Sequence, residues 1–153
     1  MPPEVQFRQA RRDDLPTIVA LLADDALGAT RETVGSAVDV AYVRAFEAIE
    51  RDDNNELIVL ETGAGVVGCL QLTYIPGLSR RAATRAQIES VRIASSARGL
   101  GLGRQLFDWA VQRARSRGCS IVQLTSDKRR QDAHRFYESL GFEATHEGYK
   151  LGL

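Results

Sequence analysis

The chain has 153 residues, 44% hydrophobic and 26% charged, and its 20 basic and 20 acidic side chains cancel to a formal net charge of zero. That length suits a single domain, residues 1–153, whose core needs neither disulfides nor a structural metal. Neutrality removes any global electrostatic case for nucleic acid or an anionic membrane, and no run approaches the ~18 apolar residues of a membrane span.

In chain order, residues 5–8 read as a short extended start. Asp13 or Asp14 then caps a first helix, with Pro16 near its first turn and Leu15, Ile18, Val19 and Leu22 at helical spacing. Residues 26–33 read as a loop, and 34–51 as a second helix with Val38, Tyr42, Phe46 and Ile49 on one face. Strands over 57–61 and 66–74, joined at Gly63-Ala64-Gly65, predict a β-hairpin. A basic loop with Arg80, Arg81 and Arg85 leads to a third strand over 87–93. The Gly-rich stretch 94–103 precedes an amphipathic helix over 103–117, stopped by Gly118. A strand over 120–125, a helix over 131–140 and a final strand or hairpin over 142–151 complete the order β-α-α-β-β-β-α-β-α-β. The fold class is α/β (α+β), a mixed sheet with helices on both faces.

Cys69 and Cys119 lie in apolar runs and read as reduced core thiols, and the two histidines, His134 and His146, make no zinc-type spacing. The first twelve residues have no apolar leader, so a cytoplasmic protein is expected.

The strongest chemical signal is Arg98-Gly99-Leu100-Gly101-Leu102-Gly103, between a strand and a helix. Glycines there let backbone approach an anion, and a helix start presents unpaired N–H groups to it. Two nucleotide sites are excluded by spacing. A P-loop needs Gly-Lys-Ser/Thr, and Gly103 is followed by Arg104-Gln105. A dinucleotide fingerprint needs G-x-G-x-x-G, which Gly99, Gly101 and Gly103 do not supply.

What remains, Arg-x-x-Gly-x-Gly at Arg98, Gly101 and Gly103, resembles the pyrophosphate-binding signature of the GCN5-related N-acetyltransferases, the GNAT family. Downstream, the run from Asp132 to Phe142, in which Tyr137 precedes Leu140-Gly141-Phe142, is similar to the family's second signature. The resemblance covers roughly residues 60–153 and implies an acetyl-CoA-dependent N-acetyltransferase with splayed middle strands and no metal. It implies that the amides of Arg98, Gly99, Leu100, Gly101, Leu102 and Gly103, with Arg104, hold the pyrophosphate. Backbone groups of Val91 and Ile93, around Arg92, would pair with the pantetheine arm like an added strand, and Ser126, Arg130, Ala133 and Phe136 would lie near the cofactor. Arg130 stands where the family often has asparagine, and it offers a guanidinium able to reach a phosphate.

The resemblance casts Tyr137 as proton donor to the departing thiolate and Glu89 as the base that takes the ammonium proton. Strand parity puts Glu89 on the side of Gln87, Val91 and Ile93, and partial burial would raise its pKa, as suits a base. His134 reads as a solvated helix residue and His146 as a minor candidate for the acceptor pocket. The expected reaction is direct transfer to a primary amine, of a small molecule in the first instance. The alternatives are a protein N-terminal or lysine acetyltransferase, or a non-catalytic acyl-CoA sensor. Selectivity is expected from residues 26–42 and from the loop 75–86, and the arginines of that loop suit an acceptor carboxylate or phosphonate. A homodimer is also expected, with neither nucleic acid nor membrane as partner.

Overall fold

The computed structural model describes residues 3–25, 27–35 and 38–153, so the expectations placed on Ala26, Ser36 and Ala37 lie outside the described residues. The chain forms two compact units, Met1–Gln123 and Leu124–Leu153, taken here in turn.

The first unit starts with β1 (Gln6–Gln9), a 3-10 turn (Arg12–Asp14) and α1 (Leu15–Ala23), with Pro16 in the first turn of the helix. Asp14 stands at the N-cap but makes no side-chain cap bond to α1. Its carboxylate instead takes two hydrogen bonds from Arg8 and one from the Arg11 amide. The expected loop over 26–33 contains a one-turn helix, α2 (Gly28–Arg31). The second long helix, α3 (Val40–Arg51), begins six residues later than its apolar spacing suggests, because Asp39 caps it by accepting from the Ala41 amide at 2.8 Å.

β2 (Asn55–Thr62) and β3 (Gly65–Ile75) form the expected hairpin. A single turn α4 (Ser79–Ala82) leads into β4 (Arg85–Ile93), with Arg80, Arg81 and Ala82 all in the left-handed region. After α5 (Leu102–Ser116), β5 (Ile121–Leu124) ends a five-stranded sheet of order β1-β2-β3-β4-β5. The first four strands are antiparallel. The Ser120 amide bonds the Thr84 carbonyl and the Gln123 side chain bonds Gln87, so β5 advances in step with β4 and runs parallel to it.

The pleat assigns the two faces. Val59 and Cys69 are cross-strand partners that pack against Ile18 and Leu21 of α1. The opposite face carries Leu60, Leu72 and Glu56, and α5 covers it with Leu106, Phe107, Ala110 and Ala114 buried. Phe7, opposite Leu60, stacks on Trp109 of α5 with ring centroids 5.7 Å apart. Each fully buried aliphatic side chain, Leu106 at 0% exposure among them, stabilises the unit by ~1.5–3 kcal/mol. One ionic group crosses this apolar layer: Glu56, 6% exposed, takes a forked pair of bonds from Arg113 and a third from the Tyr74 hydroxyl. Burial pushes its carboxyl up, but Arg113 and Tyr74 more than offset this and hold it below the usual range.

The second unit contains α6 (Gln131–Ser139), close to the expected helix. The expected final strand over 142–151 is absent: the described residues 143–153 form no strand and are exposed throughout. Alternating residues make a strand only when a neighbouring strand supplies ladder bonds and a covered face. Among the described residues Tyr149 and Leu151, 90% and 87% exposed, have neither.

Candidate active site

Chain direction at the glycine-rich turn is set by two left-handed glycines, Gly99 at φ +80° and Gly101 at φ +74°. Side chains with a Cβ rarely adopt that conformation, so glycine at these positions is a backbone requirement. Gly101 is the N-cap of α5, and the first bond it accepts comes from Gln105 at 3.2 Å. The amides of Leu102, Gly103 and Arg104 are therefore those that helix geometry leaves without an intrahelical acceptor. Leu102 is anchored in the core, 1% exposed, while Gly99, Leu100, Gly101 and Arg104 face solvent. The result is an open anion cradle at the positive end of a 15-residue helix.

The expectation for Arg98 concerns its backbone amide, and its side chain is engaged elsewhere. Its Nη2 donates to the Asp24 carbonyl at 3.2 Å and lies 3.9 Å from the Asp24 carboxylate, which also accepts from the Ser95 amide. The side chain thus pins the turn to the end of α1, and the backbone is left to meet an anion.

The strand leading to the turn carries a bulge. Gln71 pairs with Glu89 but Cys69 pairs with Arg92, so β4 holds one residue more than β3 between these pairs. Ser90, at φ +56°, accommodates the extra residue. This corrects the parity argument. Each bulge moves the following side chains to the other face, so Glu89 shares its face with Arg92, whereas Val91 and Ile93 point the opposite way. Glu89 is also exposed rather than partly buried, and its carboxylate accepts from Gln87 Nε2 at 2.9 Å. Gln87 in turn accepts from Gln123 Nε2 at 2.7 Å. Periodicity gave no signal for this amide chain, because glutamines in a strand read only as solvent-facing. In the β4 register, β5 runs out opposite Ile88, and among the described residues no strand pairs with the outer edge of 89–93. Val91 and Ile93 therefore lie on a strand edge open to an added strand-like ligand.

On the same face as Glu89 and Arg92, an apolar cavity of about 150 Å³ is lined by Leu22, Tyr42, Phe46, Cys69, Gln71 and Ser90, among others. The Tyr42 hydroxyl donates to Glu32 and accepts from the Thr33 amide, which ties α3 to the segment before it. A larger cavity of about 320 Å³ opens beside Glu56 and Arg113. None of the motif residues lines it, and Glu56 and Arg113 within it are paired with each other.

In the second unit, Asp127 organises the start of α6. It accepts from the Arg129 side chain, and its carbonyl takes the Arg130 amide at 3.0 Å. His134 is half-buried with Nε2 2.9 Å from the same carbonyl, so it serves the local turn rather than being the solvated residue expected. Ala133, Phe136 and Tyr137 are half-buried on α6. The Tyr137 ring lies 6.0 Å from Phe136 and 6.3 Å from Phe142, and its carbonyl accepts from the Phe142 amide. Ser126 has a buried hydroxyl with no hydrogen-bond partner. His146 is exposed, its Nδ1 2.7 Å from the Thr145 hydroxyl. Among the described residues no cluster of His, Cys, Asp or Glu could hold a metal, and no helix is long and apolar enough to cross a membrane.

The chain is similar to known proteins in sequence and fold. The family model for the acetyltransferase (GNAT) family matches residues 10–142. An aminoalkylphosphonate N-acetyltransferase from Salmonella typhimurium is 27% identical over 152 residues, 99% of this chain and 93% of that protein. A glucosamine 6-phosphate N-acetyltransferase from Trypanosoma brucei brucei is 35% identical over 58% of each chain. A crystal structure described as a transcriptional regulator from Bacillus halodurans C-125 is 51% identical, with a TM-score of 0.94 over 98% of this chain and 100% of that one. The turn, the strand edge and the tyrosine-bearing helix fall inside the matched residues, and the chain belongs to the GNAT family of acetyl-CoA-dependent N-acetyltransferases.

Proposed function

We propose that this enzyme transfers the acetyl group of acetyl-CoA directly to the primary amine of a small molecule within a ternary complex. The observation that carries the reading is the open run of amides at 102–104, presented by the left-handed Gly99 and Gly101 at the start of α5. Bound there, acetyl-CoA supplies an activated thioester. The backbone of Val91 and Ile93 orients the pantetheine arm, and Arg104, Ser126, Arg130, Ala133 and Phe136 complete the cofactor contacts. Glu89 takes a proton from the acceptor ammonium, directly or through water, and Tyr137 returns one to the departing thiolate.

Direct transfer is supported by the state of the thiols. Cys69 is buried and its thiol is pushed up to about 12, while partial burial also pushes Cys119 up, so neither is poised as a nucleophile. A small acceptor is supported by the modest apolar cavity beside Ser90 and by relatives named for small amines. Both named acceptors carry an anionic phosphorus group as well as an amine, which favours an amine of that kind. Reduced cysteines fit a cytoplasmic enzyme, and the exposed Tyr149, Leu151 and Leu153 fit a tail that pairs with a second copy.

Thermal shift with acetyl-CoA tests cofactor binding by mass action, and an amine panel read out by free thiol tests turnover. The 51% identical neighbour described as a transcriptional regulator favours one other reading, an acyl-CoA sensor. Cofactor stabilisation without thiol release across the whole panel would overturn the small-amine reading and favour the sensor.

A further inference from the structure

We infer that Arg92 is the residue that recognises the anionic group of the acceptor, with the bulge at Ser90 placing it beside Glu89 on the acceptor face. This rests on the proposed function and deepens it from an amine to a short amine bearing a phosphonate, phosphate or carboxylate.

The guanidinium of Arg92 is incompletely satisfied. Arg92 Nε is buried and has no hydrogen-bond partner, although the side chain as a whole is 18% exposed. Its nearest anion, Asp25 Oδ2, is 3.7 Å away, close enough to neutralise charge but too far to hydrogen-bond. One of its terminal nitrogens, Nη1, is spent on the carbonyl of the adjacent Val91, at 2.8 Å. Buried donors are ordinarily satisfied, so an orphan on an arginine marks a position completed by something else. A tetrahedral phosphonate or a planar carboxylate offers paired acceptor oxygens that match the guanidinium fork.

Without the bulge, Arg92 would share the face of Ile88, toward α5 and away from Glu89. With it, Glu89 and Arg92 stand opposite Gln71 and Cys69, two residues apart on β3, hence about 7 Å along the strand. Gln71, Cys69 and Ser90 all line the apolar cavity. Glu89 and Arg92 are thus the cross-strand partners of two residues that line a small apolar pocket, on the face that carries it. Glu89 suits an ammonium, Arg92 suits an anion, and a short apolar linker between them suits the cavity. Zwitterionic acceptors fit this pattern, whereas long cationic polyamines place a second positive charge against Arg92.

The test compares three acceptors, 2-aminoethylphosphonate, β-alanine and ethanolamine, in the wild type, Arg92→Met and Arg92→Lys. In Arg92→Met, KM for the two anionic amines is expected to rise about tenfold or more, as loss of a charge-assisted contact predicts, with KM for acetyl-CoA and for ethanolamine little changed. Arg92→Lys should recover part of the preference. Equilibrium binding of 2-aminoethylphosphonate in the presence of coenzyme A gives a readout independent of turnover, and it should weaken in parallel. The inference is overturned if Arg92→Met affects all three amines alike, if the anionic-to-neutral ratio is unchanged, or if the wild type shows no preference for anionic amines. Neutral amines turned over without such a preference would leave the enzyme standing and remove only Arg92. Absence of thiol release from every amine would remove the proposed function itself.

Discussion

Replacing Arg113 with methionine isolates what the buried carboxylate of Glu56 needs. In the native structure Glu56 is 6% exposed, and Arg113 donates to it through Nε at 3.0 Å and Nη2 at 2.5 Å, while Tyr74 donates from the side. Removing one partner of a buried pair costs about 3–5 kcal/mol. Arg113 keeps 37% of its side chain in solvent, so the expected loss lies at the low end, about 3 kcal/mol. For a chain of this size that is a fall in Tm of about 6–12 °C. The cost comes from the stranded charge rather than from lost attraction, so it should vanish when the charge is removed as well. The triple variant Glu56→Leu, Tyr74→Phe, Arg113→Met is expected to return to within about 1 kcal/mol of wild type, because apolar side chains of similar volume replace the whole group. Arg117, stacked 4.0 Å over the Tyr74 ring, retains an aromatic partner in that variant.

The pH dependence has a definite sign. Glu56 has a folded-state pKa below its ordinary 4.5, so its contribution in the wild type is present above that value and lost as pH falls through the folded one. Without Arg113, burial is no longer offset, and the folded-state pKa rises. The penalty in Arg113→Met is then present at neutral pH and relieved as Glu56 takes up a proton. Urea unfolding of both proteins between pH 7 and pH 4 should show the gap narrowing with acid. A gap that stays constant across that range, or one below about 1 kcal/mol at pH 7, would refute the reasoning.

Other outcomes follow from the candidate site. Gly101→Val forces a branched side chain into φ +74°, at about 1–2 kcal/mol, and should weaken acetyl-CoA binding about tenfold in a titration; unchanged affinity would move the cofactor away from this turn. Tyr137→Phe should lower kcat about 10²-fold or more while acetyl-CoA affinity holds, and full turnover in that variant would end its role as proton donor. Glu89→Gln should flatten the acid limb of the pH–rate profile, and an intact limb would exclude Glu89 as the base. The double change Cys69→Ala, Cys119→Ser should leave the acetyl-transfer rate within a few-fold of wild type, and its abolition would point to a covalent cysteine intermediate.

Local chemistry determined much of this protein from the sequence. The glycine spacing at 99, 101 and 103 marked the turn before α5 because glycine adopts without strain the left-handed backbone found at Gly99 and Gly101. Helical spacing and Gly118 placed α5 within a residue at either end. The helix that carries Tyr137 was legible from the spacing between Gln131 and Gly141. Tertiary structure decided what no local pattern encodes. The bulge at Ser90 reverses side-chain parity, and serine in a strand announces nothing of the kind, so the shared face of Glu89 and Arg92 emerged only from the pairing with Gln71 and Cys69. Asp24 and Asp25 reach Arg98 and Arg92 across more than sixty residues of chain, a proximity that depends on how α1 packs against the sheet. The alternating tail after Phe142 shows the converse limit: periodicity states which face a strand would present, whereas strand formation depends on a neighbour that the pattern does not contain.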